Sequence, residues 1–180
     1  MKEDIIIVGA GIIGMSLALS LSSSNKKIVI IEKNLSNSLK INRVYSISKK
    51  TKSFYELLDV WKNIHEINNI DSMCIYYRNF NHKNMITFSE KINQTKIGYI
   101  VQSKNISLSL LNKIEEDDNI KLLDNYDIGG IENTEKGVKV EINNHENIEA
   151  KYLFSCEGSK SSIKKNLQEY CFLKKFKQSQ

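Results

Sequence analysis

The 180-residue chain has no proline, 3 cysteines, 3 histidines, 3 alanines and, among 26 basic residues, only 2 arginines. Cys74, Cys156 and Cys171 are odd in number and form no CxxC pair. Each reads as a small buried apolar residue of a protein in the reducing cytoplasm. His65, His82 and His145 show neither HxxxH nor HxH spacing, so no metal site is expected. Charge of one sign is missing from the body of the chain: residues 1–157 carry 20 basic and 20 acidic side chains. The net charge of +5 lies in the last 23 residues, which hold six lysines and one glutamate. A nucleic-acid binder needs a basic face aligned with phosphates, so nucleic acid is excluded as a partner and the tail reads as a solvated terminus. At 41% hydrophobic and 26% charged, the composition is that of a globular protein, neither disordered nor fibrous. Its 24 lysines, 26 isoleucines and 20 asparagines point to AT-rich coding, under which lysine stands where function would otherwise use arginine.

From Ile5 to Asn25 no side chain is charged, a length that in principle crosses a bilayer. The run contains Gly9, Gly11 and Gly14, ends in serines, and follows Glu3 and Asp4 where a secretory signal would be positive. The glycine spacing explains it better than a membrane does.

Ile5-Ile6-Ile7-Val8 is a β-branched run, as in a parallel strand buried on both faces. It enters Gly9-Ala10-Gly11-Ile12-Ile13-Gly14, followed by a helix over 12–23 with Leu17 and Leu21 on one face. A second apolar strand, Ile28 to Ile31, ends in Glu32. Strand, glycine turn, helix, strand and acid within about thirty residues form the context that a dinucleotide-binding fingerprint requires. Gly9 permits the turn, Gly11 admits a pyrophosphate to the backbone, and Gly14 lets the helix lie close to the strand. Free N–H groups and the helix dipole then hold phosphate. Ala18 continues the close packing, and Asn25 suits a left-handed exit from the helix. Glu32 would accept bonds from ribose hydroxyls and repel a 2′-phosphate. The fingerprint alone leaves NAD and FAD both open.

After Glu32 comes a polar connection over 34–42, not the prompt βαβ repeat of an NAD domain. A helix from Lys49 follows, with Phe54, Leu57, Leu58 and Trp61 as its apolar stripe. Met73 to Tyr77 and Met85 to Phe88 read as pieces of a second, antiparallel sheet. A helix over 107–114 places Leu108, Leu111 and Ile114 inward. A strand over 120–123 and a meander from 126–131 and 138–142 follow, then a buried strand, Tyr152 to Cys156, opening onto Glu157-Gly158 and a serine-rich helix start.

The order GxGxxG, acid, RVYSISKKTKSFYELLDVW, GYIVQSKNISLSLLNKI and CEGSKSSIK resembles flavin-dependent aromatic-ring monooxygenases, most of all the ubiquinone-biosynthesis hydroxylases. The resemblance runs from about Ile5 to Lys165. It implies an α/β fold: a Rossmann-like FAD-binding fold of glutathione-reductase type, with part of an inserted antiparallel β substrate domain. Residues 1–70 and 101–180 would form a discontinuous FAD-binding domain, and 71–100 a fragment of the substrate sheet. It also implies FAD as cofactor, NAD(P)H as transient reductant, and a small-molecule or lipidic aromatic substrate such as a polyprenylated phenol. By position Gly9, Gly11, Gly14 and Glu32 match the ADP-binding motif, Arg43 an arginine near the FAD pyrophosphate, and Gln102 a residue near the ribityl chain. Glu157 and Gly158 match an Asp-Gly motif serving FAD and nicotinamide. No catalytic residue is assigned, because the flavin carries the difficult step.

The sequence departs from that pattern in three places: Glu157 for aspartate, Lys164 for the arginine closing the motif, and Ile41 for the aspartate before Arg43. Such enzymes are also about twice as long, and their later Gly-Asp motif would follow residue 180. The chain is therefore expected to be the FAD-binding portion of a hydroxylase, completed by a separately encoded carboxy-terminal half. The alternative is a truncated, non-catalytic remnant or nucleotide-binding module. A cytoplasmic location is expected, with a seat at the face of the inner membrane left open by a lipidic substrate.

Overall fold

The computed structural model describes residues 2–40, 43–79, 82–89, 97–143, 145–158, 161 and 163, with the backbone alone at 77–79 and 82–84. They group into two compact units, 1–35 with 118–180, and 36–117. This is a division by packing, broader than the 71–100 insertion drawn from the resemblance, and it leaves the function of that segment a separate matter.

The first unit is built on a parallel sheet. Strand β1 (Ile5–Val8) lies between β2 (Ile28–Glu32) and β12 (Tyr152–Ser155), and β8 (Ile120–Asp124) lies outside β2. Register is continuous, Ile5 opposite both Ile28 and Tyr152, and Glu32 opposite Asp124. The β-branched runs of β1 and β2 are buried on both faces, as a central parallel strand demands. One face carries Ile6, Val8, Val29, Ile31 and Leu123, packed on Val138, Val140, Ile142, Ile148 and Ala150. Those partners come from the antiparallel sheet β9 (Ile128–Thr134), β10 (Gly137–Ile142) and β11 (Ile148–Ala150). At about 1.5–3 kcal/mol per fully buried aliphatic side chain, this sandwich is a principal source of the unit's stability. Helix α1 (Ile12–Ser22) runs from the end of β1 along the parallel sheet and ends where Asn25 turns left-handed at φ +59°, as its sequence predicts.

The face that α1 buries differs from the expected one. Met15, Ala18, Leu19 and Ser22 are buried, whereas Leu17 and Leu21 are half-exposed. Contact at Gly14 sets the helix rotation, and positions 15, 18, 19 and 22 follow it inward. β12 also differs. Tyr152 and Phe154 are 62% and 39% exposed, so the expected buried strand is the margin of the described sheet. The cysteines are not buried either: Cys74 is exposed and Cys156 half-buried, while Cys171 lies outside the described residues.

The second unit holds a three-stranded antiparallel sheet, β3 (Val44–Ile47), β7 (Gly98–Gln102) and β4 (Asn68–Ile70), with β7 central. A separate ribbon pairs β5 (Ser72–Asn79) with β6 (His82–Ser89), where an antiparallel piece was expected. Helix α2 (Leu35–Lys40) occupies part of the polar connection over 34–42. Helix α3 (Lys49–Leu57) starts on Ser48, whose hydroxyl accepts the Thr51 N–H. Its buried residue is Tyr55, followed by Val60 and Ile64, not the Phe54-Leu57-Leu58-Trp61 stripe; Leu57 is 86% exposed. The helix stops at Leu57 and Asp59 turns left-handed at φ +57°, so helical spacing does not carry through to Trp61. Trp61 meets Tyr99 edge-on, centroids 5.2 Å apart. Helix α4 (Ser103–Glu115) begins four residues before the expected start and buries Ile106, Leu110 and Ile114 with three serines. Leu108 is exposed and Leu111 half-buried. Serines on the buried face hid the phase.

One of those serines ties the unit together. The buried Ser109 hydroxyl donates to the Val60 carbonyl at 2.8 Å. Replacing it with alanine leaves that carbonyl the Asn63 N–H at 3.1 Å, and Ser109→Ala should lower stability by about 1 kcal/mol. The check is the urea midpoint, and an unchanged midpoint would show that this bond contributes nothing.

Candidate functional site

The glycine turn is built by contact among three strand ends. Gly9 has φ +102°, and a Cβ there would lie 2.8 Å from the Cys156 carbonyl carbon and oxygen. A Cβ on Gly14 would lie 1.9 Å from the Gly9 oxygen, well inside contact distance. These two positions are glycine because the fold has no room for anything else. Gly11 is different. Nothing lies within 4 Å of the place its Cβ would take, and its φ of −74° suits any residue. The space that glycine keeps clear at this position is therefore not filled by the described protein.

Gly11 is also the N-cap of α1. No side chain caps the helix there and no acid stands in its first turn, an arrangement whose leading N–H groups and positive dipole end suit an anion.

Glu32 closes the turn from the neighbouring strand. Ala10 donates its N–H to Glu32 Oε2 at 2.7 Å, and Asn34 donates to Oε1 at 3.0 Å. Gly9 N–H bonds the Ile31 carbonyl at 2.8 Å. The acid thus stitches the end of β2 to the glycine loop before any ligand is considered. Next to it, Asp124 ends β8 in register with Glu32, and its Oδ1 accepts the N–H groups of Leu35 and Asn125. Beyond it Lys33 pairs with Asp127, and that hydrogen bond and charge hold the lysine above its ordinary pKa.

On the other side of β1, Cys156 N–H donates to the Val8 carbonyl at 2.7 Å. Burial alone pushes the Cys156 thiol up from its usual range. Gly158 adopts φ +74°, with nothing within 4 Å of where a Cβ would stand. Between them the Glu157 carboxylate turns to its own segment: Oε2 accepts the Ser161 hydroxyl at 2.7 Å and the Ile163 N–H at 3.2 Å. Six candidates, Gly9, Gly11, Gly14, Glu32, Glu157 and Gly158, are thus gathered at the ends of β1, β2 and β12.

Arg43 and Gln102 stand in the second unit, beside each other. Arg43 N–H donates to Ser103 Oγ at 2.8 Å, Ser103 N–H donates to the Arg43 carbonyl at 2.6 Å, and Val44 pairs with Gln102 across β3 and β7. The Arg43 side chain is exposed. Lys164 and Ile41, where the sequence departs from the family pattern, lie outside the described residues. A cavity of about 320 Å³ in the first unit, lined by Ile131, Val138, Tyr152, Leu153 and Ile163, includes none of the candidates.

Sequence reasoning missed Ala10, Asp124 and Ser161. Ala10 acts through its backbone and leaves no signal in residue type. Asp124 could have been found as a second acid at a strand end, and Ser161 as the hydroxyl four residues after Glu157.

Residues 2–176 match the family described as FAD binding domain. The chain is 24% identical over 192 aligned positions to the mitochondrial ubiquinone biosynthesis monooxygenase COQ6 of Dictyostelium discoideum, covering 92% of this chain and 39% of that protein. Among solved structures it is similar to PqsL, a probable FAD-dependent monooxygenase from Pseudomonas aeruginosa. There the TM-score is 0.77 and the identity 15%, covering 96% of this chain and 47% of that one. It is likewise similar to the flavin-dependent monooxygenase PieE, solved with FAD and substrate, at TM-score 0.77 and 14% identity, covering 93% and 32%. The shared fold is the parallel-sheet FAD fold of glutathione-reductase type. The chain spans less than half the length of each of these relatives. No helix among the described residues is long and apolar enough to cross a membrane.

The glycines separate fold from ligand. Gly14→Ala should cost at least about 3 kcal/mol, because the clash is with backbone. Gly11→Ala should stay within about 1 kcal/mol of wild type. Thermal unfolding of the two variants decides it, and equal losses would refute the distinction. Thiol accessibility offers a second check: Cys74 should be alkylated before Cys156, read by peptide mass spectrometry. Faster modification of Cys156 would contradict the burial described.

Proposed function

The chain belongs to the FAD binding domain family, and from that premise we propose that it is the FAD-binding portion of a flavin-dependent monooxygenase that hydroxylates an aromatic ring. The observation that supports this most is the clear space over Gly11, at the uncapped start of α1, where a diphosphate can approach the backbone. In this reading Gly9 and Gly14 shape the turn, Gly11 admits the diphosphate, and Glu32 holds the loop while accepting a ribose hydroxyl. Gly158 offers backbone on the far side. Arg43 and Gln102 are proposed as further contacts to the same cofactor.

The substrate class we propose is a polyprenylated phenol of ubiquinone biosynthesis, on the strength of the likeness to COQ6. With NAD(P)H as reductant, the overall change is phenol ring, O2, NAD(P)H and a proton giving hydroxylated ring, NAD(P)+ and water. The flavin, when bound, supplies the redox chemistry between nicotinamide, oxygen and ring. This chain contributes phosphate binding and orientation. Walls that keep water from the reacting ring would come from the part of such a monooxygenase that these 180 residues do not span. A second reading is a nucleotide-holding module without turnover, since the residues gathered at the strand ends suit binding and orientation and none is assigned to catalysis.

The test is incubation of the purified chain with FAD, desalting, and the visible spectrum. Retained flavin colour, lost by at least about tenfold in affinity in the stable Gly11→Ala variant, is the expected result. A folded but colourless wild type would remove FAD binding by this chain alone. Flavin-dependent NAD(P)H oxidation by the chain joined to the remaining length of a related monooxygenase separates hydroxylase from module.

A further inference from the structure

We propose that Glu157 is a positioning residue: its carboxylate does not touch the nucleotide but clamps the Gly158 turn to the core behind it. This deepens the FAD reading above, and rests on it only for the ligand.

The geometry points this way from both ends of the segment. Before Glu157, the Cys156 backbone is fixed under Gly9, in contact with the glycine turn, and bonded to Val8. After it, Ile163 is 1% exposed and sits in the core cluster with Ile6, Val8, Val140 and Ile148. The turn between has to leave the sheet and return to the core within six residues. Glu157 spans that return. Its Oε2 takes the Ser161 hydroxyl at 2.7 Å and the Ile163 N–H at 3.2 Å, and Ser155 Oγ lies 3.4 Å away. Ser155 Oγ is also 3.3 Å from Ser161 Oγ, so two hydroxyls and a carboxylate close a triangle. Ser161 is buried, which makes its bond to an ionised group one of the stronger kind. Gly158, held between these anchors, presents its left-handed backbone to open space.

Electrostatics favour the same assignment. FAD carries its negative charge on the diphosphate, and a carboxylate in direct contact with it would be repelled by several kcal/mol at the effective dielectric of a protein surface. Turned onto hydroxyls and an N–H, the acid is satisfied and kept away. The clamp also explains why this position is glutamate. Aspartate would draw the oxygens back by about one carbon–carbon bond, roughly 1.5 Å, and the Ile163 N–H, already at 3.2 Å, would pass out of hydrogen-bond range.

Three variants of the full chain test this: Glu157→Gln, which keeps length and an acceptor oxygen; Glu157→Asp, which keeps charge; and Ser161→Ala. FAD affinity is measured by fluorescence titration, and amide hydrogen exchange of the 158–163 segment is measured without FAD. Glu157→Gln should bind FAD within about threefold of wild type and keep its exchange protection. Glu157→Asp and Ser161→Ala should each lose about tenfold or more in both readouts. The proposal is overturned if Glu157→Asp matches wild type, which would give the role to charge, or if Glu157→Gln loses as much as Glu157→Asp, which would show that reach alone does not hold the turn. If the wild-type chain takes up no FAD, the cofactor reading fails while hydrogen exchange alone still decides the clamp.

Discussion

The contact on which the first unit depends is the one between Gly14 and the carbonyl oxygen of Gly9. It brings the first turn of α1 against the backbone of the loop that feeds it, closer than any side chain allows. From that contact the rotation of α1 follows, and with it the inward set Met15, Ala18, Leu19 and Ser22. Gly9 in turn rests on the Cys156 backbone, so the ends of β1 and β12 are held by the same few atoms. Glu32 adds the third strand end through Ala10. In the proposed reading, the donors this loop would offer a diphosphate are backbone N–H groups placed by packing.

That economy explains what could be read from the residues. The β1 turn, the acid at Glu32 and the left-handed Asn25 were legible because each is a local demand that few residue types satisfy. Helix faces were not. In α3, the left-handed Asp59 breaks the phase before Trp61, a backbone event that side-chain spacing does not report. In α4, Ser103, Ser107 and Ser109 stand on the buried face, so the apolar pattern under-represents it. The exposure of Tyr152 and Phe154 on β12 is a property of position in a sheet, and a strand's own composition carries no trace of its neighbours.

The candidate site shows the same division. Six of its eight residues meet at three strand ends of the first unit, while Arg43 and Gln102 form an adjoining pair in the second. Glu157 matches a family position for a cofactor contact, and its carboxylate also bonds the Ser161 hydroxyl and the Ile163 N–H within its own segment. Ser161 had no motif to announce it, yet it supplies the shortest bond in that cluster.

The pairing of β1 with β12 has a consequence in time. Ile5 and Tyr152 are partners 147 residues apart in the chain. At a synthesis rate of about 5–20 residues per second, β1 leaves the ribosome roughly 7–30 s before the strand that flanks it. During that interval one hydrogen-bonding edge of an Ile-Ile-Ile-Val strand stands bare, with high contact order still to be met. The strand that leads into the glycine turn is thus made long before its pairing is complete. Pairing of β1 with β2, 23 residues on, covers its other edge early, while the edge kept for β12 stays open to a strand from another molecule.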